Sequence, residues 1–437
     1  MANNVRLHDI AEQAPVPRQS SELLWELSIC LCFALALACD WGGYFTLSGK
    51  ISGLLRIGAC VLPFLLPVRR KSRFPLGTSC LLFIIPLFAI IVQQLVGVFM
   101  DYKYASGTAW TVYAYFVVTG AWFWLGANIR DHFREVYTLM RWLVYSCLPF
   151  CVLSWAGLFI SGKAVLDLEG GRVNYMLPFW GAQQAIMFAF CYFAACLVTR
   201  PDKWTIVLLL LSSYNLISLN KQGVFVSFVV FFACGMLWIL RGEGMSGKAS
   251  RFLFVVGSSF VLLLLCGLWL QTTASGGVAK DFILMRHFHV QEVASVGSLF
   301  SMEAVTRASA NRLDDVWPEA WRRICENPIV GSGFSQTVAG RPHAHNAVLD
   351  MLLGMGLLGF IPFFWGNILC MHRGICSYLG CGSELKQVAL LCCILYALSY
   401  IAANMGDVQR LWVSSSILYG FCLGVLYGGA PGPGRAV

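Results

Sequence analysis

Two histidines, an asparagine and an aspartate fall close together in Pro342-His343-Ala344-His345-Asn346-Ala347-Val348-Leu349-Asp350, in a chain with only 7 histidines. A neutral imidazole takes up a proton near pH 7, so a histidine here could serve as general base toward a hydroxyl. Pro342 reads as a helix start, because proline is tolerated in the first turn where its missing N–H is not needed. In such a helix His343, Asn346 and Asp350 share one face. The partial positive charge of the helix N-terminus would disfavour imidazolium and keep the base neutral. The competing reading is that these residues cap a membrane helix at its interface and do no chemistry.

The elements that must position this cluster are set by composition. The chain has 437 residues, 58% hydrophobic and 12% charged, with a mean hydropathy of +0.69. That excludes an ordinary soluble domain and indicates an all-α polytopic membrane protein. The 18 cysteines are scattered through apolar runs, where cysteine behaves as a small hydrophobe. No CxxC pair is present, so neither a zinc site nor a disulfide framework follows. The net charge of +9 reflects membrane topology rather than nucleic-acid binding.

Apolar runs place helices at 23–39, 51–67, 75–99, 107–126, 137–161, 176–198, 203–219, 222–240, 252–270, 344–368, 387–405 and 411–428, about twelve spans. The expected organisation is a tail 1–22, spans one to nine over 23–270, a loop domain 271–343, spans ten to twelve over 344–429, and a tail 430–437. Basic residues such as Arg69, Arg70, Lys71, Arg130, Arg134, Arg241, Lys248 and Arg251 collect on one side. The opposite short loops hold only Lys50, Lys103, Lys163, Arg172, Lys221 and Arg410. The positive-inside rule then puts both termini in the cytoplasm and the long loop outside.

Polar groups within the spans gather in their outward halves: Arg56, Gln93, Gln94, Gln183, Gln184, Asn215, Asp350 and Asn404. Such groups are costly in a bilayer and face a bundle interior or an aqueous cavity. Their placement predicts a polar pocket opening at the outer leaflet, with ordinary interhelical hydrogen bonds as the alternative for each. In the loop, residues 310–324 read as an amphipathic helix whose tryptophans suit the interface. After it comes the turn-rich Asn327-Pro328-Ile329-Val330-Gly331-Ser332-Gly333-Phe334. Gly331 and Gly333 would allow backbone N–H groups to approach a ligand, or simply form a loop.

An Arg before an aromatic helix, then Asn-Pro-Ile-Val-Gly-Ser-Gly-Phe, then His-Ala-His-Asn and a Gly-punctuated apolar helix resembles the O-antigen ligase/polymerase superfamily. The motif region covers residues 307–360, and the span layout extends the resemblance to the whole chain. Within the superfamily the pattern is most similar to O-antigen ligases. The resemblance implies a GT-C-like, helical enzyme of the bacterial inner membrane with its active site facing the periplasm. It would transfer a glycan from an undecaprenyl-diphosphate carrier to a hydroxyl of lipid A–core, with membrane lipids around it. By the same resemblance the base is His345, with His343 as orienter or alternative. Asn346 adjoins it, and Asp407 would orient a histidine or bind acceptor, or else pair with Arg410. Arg312 matches the family's loop arginine and would hold the diphosphate. Lys221 stands where the family usually carries Arg, keeping the charge without the bidentate fork. Arg56, Arg341 and Arg410 are further candidates for that pocket.

No cofactor or metal is expected. Asp167-Leu168-Glu169, Asp314-Asp315 and His287-x-His289 lack companion ligands at recognisable spacing, and the family resemblance implies cationic side chains at the diphosphate. A polymerase or a protein O-oligosaccharyltransferase of the same superfamily remains an alternative. A transporter or flippase would explain the spans, but it should also show midplane polar groups and related halves, and a scaffold would leave the histidine cluster unexplained.

Overall fold

The computed structural model describes residues 58, 75–99, 106–128, 133, 136–138, 140–142, 144–145, 166–167, 172–173, 179–200, 202–219, 223–240, 315–334, 338, 344, 346–404 and 413–429. Almost all of these are helical. The expected spans at 23–39 and 252–270, nearly all of 51–67, most of 137–161, and most of the loop domain lie outside the described residues.

Helix α1 runs through Leu76–Ser79, a π turn Cys80–Ile84 and Ile85–Phe99. Then follow α2 (Ser106–Asn128), a two-stranded hairpin β1 (Leu166–Asp167) and β2 (Arg172–Val173), α3 (Phe179–Thr199), α4 (Lys203–Leu219) and α5 (Gly223–Leu240). In the hairpin Asp167 pairs with Arg172 across antiparallel strands. The loop contributes α6 (Trp317–Glu326), and α7 (Ala347–Leu379), α8 (Glu384–Asn404) and α9 (Val413–Gly428) complete the described chain. Among the described residues three helical stretches are long and apolar enough to cross a membrane: Leu76–Gly97 in α1, α7, and α8. This marks a membrane protein.

The bundle is built around α8. Every residue from Gln387 to Ala397 is buried, as expected of a helix that is apolar on all sides and surrounded by partners. It packs against α3, α5, α7 and α9. The closest pairing is α2 with α9. Gly420, Gly424 and Gly428 lie one turn apart on α9, and a Cβ on any of them would collide with the carbonyl oxygens of Thr119, Phe123 and Ala127 respectively. Gly126 on α2 returns the contact against the backbone of Phe421. Small residues at four-residue spacing let two helix backbones touch, and in a bilayer that packing replaces the hydrophobic drive for association.

Helix ends fall within a few residues of the expected spans, except at α7. That helix starts at Ala347 rather than in the 342–344 region and continues to Leu379. It is also broken, because Gly356 adopts φ +57 and ψ −168. Hydropathy is continuous across the break, so composition conceals it.

Candidate functional site

Helix α6 is short and opens with Pro318 in its first turn. Val316, Ala320 and Ile324, one turn apart, are buried in a cluster with Val338, Ala344, Leu352 and Leu353. This apolar stripe docks the loop helix onto the start of α7. The indole Nε1 of Trp317 donates to the carbonyl of Ala344 at 3.0 Å. The N–H of Ala344 donates to Asp350 Oδ1 at 2.8 Å. Both backbone polar groups of the residue between His343 and His345 are therefore held, one from α6 and one from α7.

Ala344, the described residue between the two histidines, lies outside any helix. Asn346 is extended (φ −146, ψ 119) and is the N-cap of α7. Its Oδ1 accepts from Val348 N at 3.0 Å and Leu349 N at 3.3 Å, and its carbonyl accepts from Asp350 N at 2.9 Å. Asparagine favours this position because its side chain satisfies N–H groups that the helix leaves open. Asn346 therefore lies outside the helix and shares no helical face with Asp350, while His343, the third member of the expected face, lies outside the described residues. Asp350, buried in the first turn, also puts a carboxyl group at the positive end of α7, so the helix dipole does not act alone on this segment.

The connector after α6 mends the break in α7. Ser332 N and Gly333 N donate to the carbonyl of Leu353, at 2.6 and 2.9 Å. Leu357 N donates to Pro328 O at 2.9 Å and Leu358 N to Ile329 O at 3.0 Å. The backbone groups that a continuous helix would pair internally are satisfied by the connector instead. Gly331 (φ +77) and Gly333 (φ +99) take conformations that glycine allows. A Cβ on Gly331 would lie 2.5 Å from Leu353 O, and one on Gly354 would strike the ring of Phe334. The N–H groups of Ser332 and Gly333 are thus directed at α7 and not at a ligand, which is the loop alternative for this Gly-x-Gly.

On the outer face of α6, Glu319 receives Arg322 Nη2 at 2.8 Å and Arg323 Nε at 2.7 Å. These hydrogen bonds to Arg322 and Arg323 bring the Glu319 carboxyl down to about 2. Arg322 also reaches Glu326. Both arginines of this helix are committed to neighbouring carboxylates.

Most of the sequence-predicted site residues lie outside the described residues: His343, His345, Arg312, Lys221, Arg56, Arg341, Asp407 and Arg410. Asn346 is described, and its Oδ1 serves as a helix cap. Among the in-span polar groups, Gln94 accepts from Tyr113 at 2.6 Å and Gln184 from Tyr396 at 2.8 Å. Asn404 donates to Tyr400 O in its own helix at 2.8 Å. The Asn404 bond stays within one helix, while Gln94 and Gln184 make the interhelical hydrogen bonds of the packing alternative. Asn367 plays a similar role unforeseen from sequence, accepting from Tyr419 and donating to Phe363 O at 2.8 Å. Among the described residues no group of three or more His, Cys, Asp or Glu is arranged to hold a metal ion. Trp317 and Asp350 are the site residues that sequence reasoning missed as a pair. Their relation runs through the backbone of Ala344, which carries no sequence signal.

No protein-family model matches the chain, and no curated protein matches it.

Proposed function

We propose that this chain is a membrane glycosyltransferase of the O-antigen ligase kind, with about twelve spans, an outward-facing loop and an active site on the periplasmic side of the inner membrane. The donor is an undecaprenyl-diphosphate-linked glycan and the acceptor a sugar hydroxyl of lipid A–core. His345 takes the proton from the acceptor hydroxyl as its oxygen attacks the anomeric carbon. The bond from that carbon to the diphosphate oxygen breaks, with inversion, and undecaprenyl diphosphate leaves. Arg312 and Lys221, with Arg56, Arg341 and Arg410 as further cations, meet the charge gathering on the leaving group.

The observation that carries this reading is the grip on Ala344. The motif resembling the family's catalytic segment has its middle residue tied to two helices at once, through Trp317 and Asp350. General-base chemistry requires such fixed placement, since small displacements of a base are costly in rate.

The test uses purified protein, a synthetic undecaprenyl-diphosphate glycan and lipid A–core, with EDTA present. Wild type should form product, and a folded His345→Ala variant should not. Elongation of the glycan on its carrier, with lipid A–core untouched, would instead identify a polymerase. No transfer to any acceptor would sink the transferase reading and favour a transporter.

A further inference from the structure

The hydrogen bonds of Leu357 and Leu358 to Pro328 and Ile329 fix the depth of the connector relative to α7. From the break onward α7 exposes an apolar face: Leu357, Leu358, Ile361, Phe364, Trp365 and Ile368. At its far end the first exposed polar side chain is His372, next to the half-buried Arg373, whose guanidinium lies over the Tyr427 ring. Leu357 to His372 spans roughly 23 Å at 1.5 Å per residue. A bilayer's hydrocarbon core is ~30 Å thick. The apolar layer that covers this face must therefore reach several ångströms beyond Leu357, to the level where the connector lies.

The connector is suited to that environment. Its tip is Pro328-Ile329-Val330, without a charge; Pro328 is exposed, Val330 half-buried and Ile329 66% exposed. Irregular backbone is tolerated at membrane depth only where its polar groups are satisfied by protein. Pro328 has no N–H, its carbonyl and that of Ile329 accept from α7, Gly331 N donates to Asn327 O, and Ser332 and Gly333 donate to Leu353, which leaves the N–H groups of Ile329 and Val330 to the polar interfacial layer. The charged end of α6, with Glu326 exposed, immediately precedes this tip in sequence.

We infer that the connector is a membrane-embedded loop whose Ile329 side chain packs against the acyl chains of the leaflet on the α6 side. It forms one lipid-facing surface with the exposed face of α7. This rests on the membrane-spanning character of α7 and not on the transferase chemistry proposed above, so either can fail alone.

The test is site-specific photo-crosslinking of the full-length protein in nanodiscs of phosphatidylethanolamine and phosphatidylglycerol carrying a radiolabelled acyl chain. Benzoylphenylalanine is placed singly at Ile329, Phe364, Leu358 and Glu326, all exposed positions where the larger side chain has room. Labelling at 329 should match that at 364 and 358, and labelling at 326 should be lost. Labelling at 364 with none at 329 would overturn the inference by placing the boundary inward of the connector. Cross-linking of 329 to protein instead of lipid, or no lipid adduct at 364, would overturn it as well.

Discussion

Asp350 Oδ1 accepts the backbone N–H of Ala344 at 2.8 Å, inside a cluster where Ala344 has no exposed surface. The bond closes the chain back over the N-cap of α7 and leaves the Ala344 carbonyl for Trp317. Asp350→Ala strands a buried N–H and should cost about 1–3 kcal/mol. Asp350→Asn keeps an oxygen in place and should cost much less. Trp317→Phe retains the ring but removes the donor, with a loss of about 1 kcal/mol. Thermal unfolding in detergent ranks the three. If the proposed chemistry holds, Asp350→Ala and Trp317→Phe should lower kcat more than they raise KM for the donor, because they loosen the base and not the diphosphate site.

Gly356 is the second point where one residue decides the local fold. A Cβ there would strike Ile329 O and lie 2.6 Å from Gly331 N, and its φ of +57 is unfavourable for alanine. Gly356→Ala must break the bonds of Leu357 and Leu358 to the connector or strain the backbone. The expected loss is about 3 kcal/mol or more. Gly382, with open space around its Cβ position, is the control, and Gly382→Ala should leave the melting temperature nearly unchanged. Equal effects at the two positions would dismiss the spliced helix.

The Glu319 cluster gives a pH signature of definite sign. Its carboxyl is depressed from 4.5 to about 2 by Arg322 and Arg323. A depressed carboxylate contributes stability that is full above 4.5 and lost as the pH falls through about 2. Wild type should therefore exceed Glu319→Gln in thermal midpoint at neutral pH, with the gap closing on acidification below 4.5. The gap should be small and shrink in high salt, because the Arg322 side chain is 58% exposed and such pairs are screened.

Sequence reading found the helices that fall on the described residues because apolar runs with charged ends are a strong signal in a membrane protein. Helix α4 keeps its expected ends, and α5, α8 and α9 lie within a few residues of theirs. It misplaced the start of α7, since Pro342 is as compatible with a pre-helical segment as with a first turn, and Asn346 is the stronger N-terminal signal. It could not see the break at Gly356, which depends on N–H and C=O groups supplied by residues more than twenty positions earlier. The glycines at 331 and 333 were legible as a turn, while their partner, the carbonyl of Leu353, was not. Polar residues in the spans were legible as buried. Whether each lined a pocket or bridged helices turned on partners such as Tyr396 and Tyr113, whose hydroxyls no spacing rule assigns.

The α2–α9 contact allows a test in which two physical effects have opposite signs. Replacing glycine by alanine inside a helix gains up to about 1 kcal/mol in propensity. At Gly120 on α2 the added Cβ would make only ordinary contact with the ring of Phe83, 3.5 Å away, so Gly120→Ala should be neutral or mildly stabilising. At Gly424 the same methyl falls on the carbonyl oxygen of Phe123 and within 2.8 Å of Ala127 N. Neither atom can move without shifting a helix, so α9 must lift off α2. Overpacking of this kind costs about 1–3 kcal/mol, enough to outweigh the propensity gain. Gly424→Ala should therefore melt below wild type and Gly120→Ala at or above it. If both variants moved the melting temperature in the same direction by similar amounts, helix propensity alone would account for them, and the backbone-to-backbone packing of α2 on α9 would have to be abandoned.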